Sequence, residues 1–200
     1  MKISISTMTG KLKDIPAINT NPIGNKFCDK MSKDPNSICA HCYSRRMLLT
    51  YRSNCGDAWG KNQEALSKNI LTKEEIPFVN NSFFRYHGHG ELVNEKHFIN
   101  FILIAKHNPH CTFALWTKRK DIIKKQSENI PKNLILIYSE PKMNKTHNYV
   151  PKHFDKVFSV FDKTYVKQNN IVTNCDGVDC RKCLKCYKKK STNIISEVLR

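Results

Sequence analysis

Asn133-Leu134-Ile135-Leu136-Ile137-Tyr138 is apolar almost throughout. A short run without polar alternation suits a strand buried on both faces, as in a parallel sheet covered by helices. Comparable runs lie on either side of it. Thr112-Phe113-Ala114-Leu115-Trp116 and Lys156-Val157-Phe158-Ser159-Val160-Phe161 read as strands, and Phe83-Phe84-Arg85-Tyr86-His87 as a shorter aromatic one. Between the strands the period lengthens. In Asn94–His107, Phe98, Ile102 and Ala105 follow the i, i+4, i+7 spacing of a helix face, with Ile99, Phe101 and Ile104 beside them. Asn94 caps that helix and Asn108-Pro109 stops it. Asp121–Glu128 reads as a short helix, and Asp57–Leu71 as a longer one with Trp59, Ala65, Leu66 and Ile70 on one face. Shorter strands are expected around Ile3 and Ile5 and at Ile171-Val172-Thr173. The alternation predicts an α/β fold with a mostly parallel sheet, open or curled into a partial barrel.

The length of 200 residues fits a single domain. Its expected parts are a loop-rich segment over 1–56, a βα core over 57–173, and a Cys cluster with a tail over 174–200. The longest apolar run, Phe98 to Ala105, is interrupted by Asn100 and falls far short of the ~20 residues of a membrane span. The opening Met1-Lys2-Ile3-Ser4-Ile5-Ser6 carries no long apolar region. A cytoplasmic location is the expectation, with no membrane partner.

The net charge is +17. Such a balance favours a polyanionic partner, a nucleic acid or nucleotide, through counterion release from phosphates. The competing explanation is a Lys-, Asn- and Ile-rich composition of the kind AT-rich genomes encode.

Nine cysteines in a reducing compartment are poor material for a disulfide framework. Cys55 and Cys111 stand alone and read as ordinary cysteines. Cys175, Cys180, Cys183 and Cys186 contain a C-x2-C-x2-C core, the spacing with which ferredoxins wrap a 4Fe–4S cluster; zinc is the alternative. Neighbouring Arg181, Lys182, Lys185 and Lys188 would offset the thiolate charge. Cys28, Cys39 and Cys42 form a second set, one ligand short of a closed site. Three thiolates leave one iron of a 4Fe–4S cluster open, and open coordination marks catalytic metal. The alternatives are a zinc site completed by His41 or another residue, and one site shared by all seven clustered cysteines.

Ligand sites in parallel α/β sheets lie at the carboxyl ends of the strands. The residues there are His87-Gly88-His89-Gly90-Glu91, Thr117-Lys118-Arg119, Ser139-Glu140 and Asp162. Glycines at 88 and 90 would let a ligand approach the backbone, and Glu91 could bind an ammonium group. A plain strand–helix loop reads equally well. His87 and His89 lie on one face of an extended segment and are weaker metal candidates.

Several blocks resemble a phage family called gene product 88. They are Gly10-Lys11-Leu12, Ile15-Pro16-Ala17-Ile18, Cys28…Cys39-x2-Cys42-Tyr43, Arg85-Tyr86-His87 with Gly90-Glu91, Leu115-Trp116-Thr117-Lys118-Arg119, and the closing cysteines. A weaker likeness is to radical SAM enzymes, in which a three-cysteine loop follows the first barrel strand and a Gly-Gly-Glu-like segment ends the second. It implies a partial (β/α) barrel, an open cluster on Cys28, Cys39 and Cys42, and S-adenosylmethionine (SAM) beside Gly88, Gly90, Glu91, Thr117 and Ser139. Glu91 and Lys118 become the candidate catalytic residues, and Cys175, Cys180, Cys183 and Cys186 hold an auxiliary cluster. The chain departs from that pattern in two places. Ten residues separate Cys28 from Cys39, and His41 replaces the usual aromatic before Cys42. The alternative to an enzyme is a zinc- or cluster-stapled module that binds nucleic acid.

Overall fold

A computed structural model describes residues 2–199. Its centre is a six-stranded sheet, β1 (Ala17–Ile18), β2 (Phe83–Tyr86), β3 (Thr112–Thr117), β4 (Leu134–Ser139), β5 (Lys156–Phe161) and β6 (Ile194–Val198). The strands lie in chain order and every neighbouring pair is parallel. The sheet does not close, so the fold is a mixed α/β architecture with an open, sequentially wound sheet.

The helices are α1 (Lys26–Met31), α2 (Tyr43–Leu49), α3 (Cys55–Lys68), α4 (Glu95–His107), α5 (Lys120–Lys125), α6 (Lys163–Gln168) and α7 (Cys180–Cys183). One face of the sheet packs Phe84, Tyr86, Phe113, Leu115, Leu134 and Leu136 against Leu66 of α3 and Phe98, Phe101 and Ala105 of α4. Each fully buried large side chain there is worth ~1.5–3 kcal/mol. Asn94 caps α4 as its sequence indicates, accepting from His97 N at 3.1 Å. Asn100, the polar interruption of the apolar run, is fully buried and employed. Its amide donates to Leu66 O and Asn69 O, both at 2.7 Å, and its oxygen accepts from Leu71 N, so it holds the end of α3.

The opposite face carries Ala114, Trp116, Ile135 and Ile137. It is covered by Ile15 and by the C-terminal segment, through buried Tyr187 and half-buried Cys180, Leu184 and Cys186. Tyr187 meets Phe83 and Trp116 edge-on at 5.7 and 6.1 Å between ring centroids.

Three expectations need correction. The segment around Ile3 and Ile5 is no strand of the sheet: Ser6 makes a single antiparallel bridge to Ala17, and the edge strand is Ala17–Ile18. Ile171-Val172-Thr173 stays outside the sheet, and the last strand is Ile194–Val198, beside which Cys175 makes one bridge to Glu197. Ile70 lies beyond the end of α3 and is 44 % exposed, because Asn69 already has extended backbone. Among the described residues no helix is long and apolar enough to cross a membrane.

Candidate functional site

Each cysteine of the N-terminal set is tied to a loop that follows a strand. Cys28 lies on α1, whose N-cap Asn25 accepts from Phe27 N and Cys28 N. The same buried Asn25 donates its amide to Glu91 O at 3.1 Å, which anchors α1 to the loop after β2. Cys39 lies in a 3-10 turn, Ile38–His41, capped by Ser37, which accepts from Cys39 N at 3.1 Å. That turn is docked on the loop after β4, because Ile38 N donates to Pro141 O and Ser37 bridges Lys142. Cys42 is the N-cap of α2. The next two residues fix it to the loop after β2: Tyr43 donates its hydroxyl to Gly88 O at 2.7 Å, and Ser44 Oγ bonds His89 Nδ1 at 2.8 Å.

The three thiols, Glu91 and Lys118 lie near enough to influence one another's charge. Burial pushes the Cys28 thiol well up, and Glu91, Cys39 and Cys42 push in the same direction while Lys118 opposes them. Burial also raises Cys39, again against Lys118. Burial works to depress the Lys118 ammonium, but its acidic neighbours, Cys39 first and then Glu91, Cys28 and Cys42, outweigh it and the net shift is upward. Its Nζ donates to Ser139 Oγ at 3.3 Å, so the ends of β3 and β4 are joined beside the thiols.

Glu91 is almost fully buried and its carboxylate is engaged by the protein. Oε1 accepts from the Thr117 hydroxyl at 2.5 Å and from Leu92 N at 2.8 Å, and Oε2 accepts from Lys118 N at 2.9 Å. The glycines of this loop answer to close packing. A Cβ on Gly90, whose φ is +97°, would lie 2.1 Å from Thr20 Oγ1 and 2.5 Å from Thr20 O. One on Gly88 would lie 2.8 Å from Asn19 Oδ1 and from Met8 Cε. His87 takes the left-handed backbone at φ 57° and, with His97, packs edge-on against Phe101. His89 stacks on Trp59 at 4.4 Å. His41 is exposed.

A family model described as gene product 88 matches residues 4–197. The chain belongs to the gene product 88 family. No curated protein and no solved structure matches it. The match to this phage family spans both cysteine sets and all six strands up to Glu197.

The closing cysteines of this gene product 88 chain also share a location. Cys175, Cys180, Cys183 and Cys186 line one pocket together with Tyr187 and Ile195. The local fold explains how. Asp179 caps α7 by accepting from Lys182 N, and Leu184 ends it in the left-handed conformation at φ 51°, turning the chain into a 3-10 segment, Lys185–Tyr187, that carries Cys186. Burial pushes the Cys186 thiol up to about 12, partly offset by Arg85, which also lies 3.6 Å above the Trp116 ring. Among the described residues no group of three or more His, Cys, Asp or Glu side chains is placed to hold a metal ion.

Asn25, Ser37, Ser44 and Asn19 were not legible as site residues. Each is a single polar side chain, in a loop or, for Ser44, in the first turn of α2, and only its buried partner gives it a role.

Proposed function

We propose that this chain is an iron–sulfur enzyme of the radical SAM type. The observation that carries the proposal is that Cys28, Cys39 and Cys42 sit on segments tied to the loops after β2 and β4, beside Lys118 and Glu91 at the ends of β3 and β2, in an open, all-parallel sheet. Cys28, Cys39 and Cys42 would hold a 4Fe–4S cluster. Such a cluster takes each thiolate on a different iron, and here the three come from three separate segments around Lys118. Buried thiols give up their protons to a metal, so loading the site releases protons and locks the loops that carry the ligands. Lys118 offsets the resulting negative charge and, through Ser139, fixes that charge to the sheet.

With SAM bound, a reduced cluster supplies cleavage of one carbon–sulfur bond of the sulfonium; the external reductant provides the electron. Glu91 acts here as the brace that orients Thr117 and the Lys118 backbone. Cys175, Cys180, Cys183 and Cys186 would hold a second, auxiliary metal group against the Trp116 face of the sheet. The charge of +17 supports a nucleic acid or nucleotide as substrate.

Iron and acid-labile sulfide in anaerobically purified protein test this. Several irons with matching sulfide, falling by about half in Cys42→Ser, are expected. A colourless protein with zinc alone would favour the second reading, a metal-stapled nucleic-acid-binding module, which the C-terminal cysteine pocket also supports.

A further inference from the structure

We propose that the outer face of α2 and the turn after it form the docking surface for a single-stranded nucleic acid, which it delivers to the thiol site. The location rests on the reading of that site as the reaction centre; the surface itself rests on other observations.

At 3.6 residues per turn, Ser44, Met47 and Leu48 of α2 share one side. All three are buried, Met47 and Leu48 against Trp59. The other side carries Tyr43, Arg45, Arg46 and Leu49. Tyr43 is 52 % exposed, Leu49 68 %, and Tyr51 in the turn 71 %. Three large apolar or aromatic side chains thus face solvent within nine residues, Tyr43 to Tyr51.

Charge identifies the partner. From Pro35 to Gly56 the sequence holds Arg45, Arg46 and Arg52 and no Asp or Glu. Arg45 is paired with Asp29 at 2.6 Å. Arg46 is exposed and has no ion-pair partner among the described residues, and Arg52 reaches only Thr9 Oγ1 at 3.5 Å. Exposed rings between cations are what a flexible, unpaired strand needs: aromatic faces stack on bases while guanidinium groups meet phosphates. A duplex hides its base faces and cannot use the rings.

Position connects the surface to chemistry. Tyr43 directly follows Cys42, and its hydroxyl is held by Gly88 O in the loop that leads to Glu91. A base stacked on the Tyr43 ring would lie at the edge of the thiol site.

The test is fluorescence anisotropy of labelled oligonucleotides of about 12 nucleotides, within the span of known single-strand sites, titrated with the full-length, anaerobically purified protein. Single-stranded DNA and RNA and the corresponding duplex are compared at low and moderate salt. Tyr51→Ala and Arg46→Ala should each weaken single-strand binding by about fivefold to tenfold, and added salt should weaken it further. Both residues lie outside the core, so thermal melting should be unchanged. Lys188→Ala with Lys190→Ala, in the basic C-terminal run, should have less effect. Absence of binding at low salt, preference for the duplex, or sensitivity confined to the C-terminal lysines would each overturn the proposal; the first would leave the surface to a protein partner. Binding that persists in a preparation without iron supports the surface and removes only the reading of the thiol site.

Discussion

Thr117, the last residue of β3, donates its hydroxyl at 2.5 Å to the carboxylate of Glu91, which belongs to the loop after β2. Both are buried, and Glu91 takes two further backbone donors, Leu92 N and Lys118 N. This carboxylate joins the loop after β2 to the end of β3. Glu91→Ala leaves three buried donors without an acceptor, and a loss of about 3 kcal/mol in denaturant unfolding is expected. Thr117→Val, which keeps the shape but removes the hydroxyl that donates to Glu91 and accepts from Arg119 N, should cost less, about 1–2 kcal/mol. Equal effects would show that the carboxylate is not shared as described.

Gly90 and Gly88 should separate cleanly. At Gly90 a side chain meets the Thr20 backbone and a left-handed φ, so Gly90→Ala should cost about 3 kcal/mol or more. At Gly88 the obstruction is the end of Met8, which can move, and Asn19 Oδ1, which is held by His89 N, so a smaller loss of about 1–2 kcal/mol is expected. Gly60, inside α3, meets nothing within 4 Å, so Gly60→Ala should stabilise by about 0.5–1 kcal/mol. Melting curves of the three variants check the order.

Acid should weaken the fold before carboxylates titrate. Burial lowers His89 to about 4, helped by Arg85 and Arg52, lowers His97 to about 3, and lowers His87 as well, from an ordinary 6.5. Below pH 6.5 the unfolded chain therefore binds protons that the folded chain refuses. Stability is complete above that pH and falls as the solution is acidified, by up to about 1.4 kcal/mol per pH unit for each histidine. Urea midpoints at pH 7.5, 6 and 5 measure the slope. A flat profile across that window would mean these rings are hydrated.

The C-terminal cysteine pocket doubles as the cover of the Trp116 face of the sheet, so metal and packing should fail together. Cys186→Ser should lower metal content and melting temperature and let water reach Trp116, which a red shift of tryptophan emission would report. Unchanged metal and melting temperature would remove this pocket from the account.

The parallel sheet was readable because Leu134–Tyr138 and Thr112–Trp116 are buried on both faces and so lack alternation. The edge strands were not. Ala17–Ile18 is two residues long, and its place is set by backbone bonds to β2 rather than by any pattern. Ile194–Val198 alternates half-buried and buried side chains but follows a cysteine-rich basic run that drew the reading toward a tail. For the site, cysteine spacing marked the thiols and strand ends marked Glu91, Thr117, Lys118 and Ser139. Spacing could not reveal that Gly88 and Gly90 serve packing against Asn19 and Thr20, because that contact spans some seventy residues of chain, 19–20 to 88–90.

The most direct test of the central claim is SAM cleavage by the reconstituted protein, reduced with dithionite under anaerobic conditions and without added substrate. The account predicts methionine and 5′-deoxyadenosine, lost in Cys42→Ser, with low-temperature EPR of the reduced protein changed by SAM. Reduced, iron-loaded protein that neither alters its EPR spectrum with SAM nor yields 5′-deoxyadenosine would contradict it.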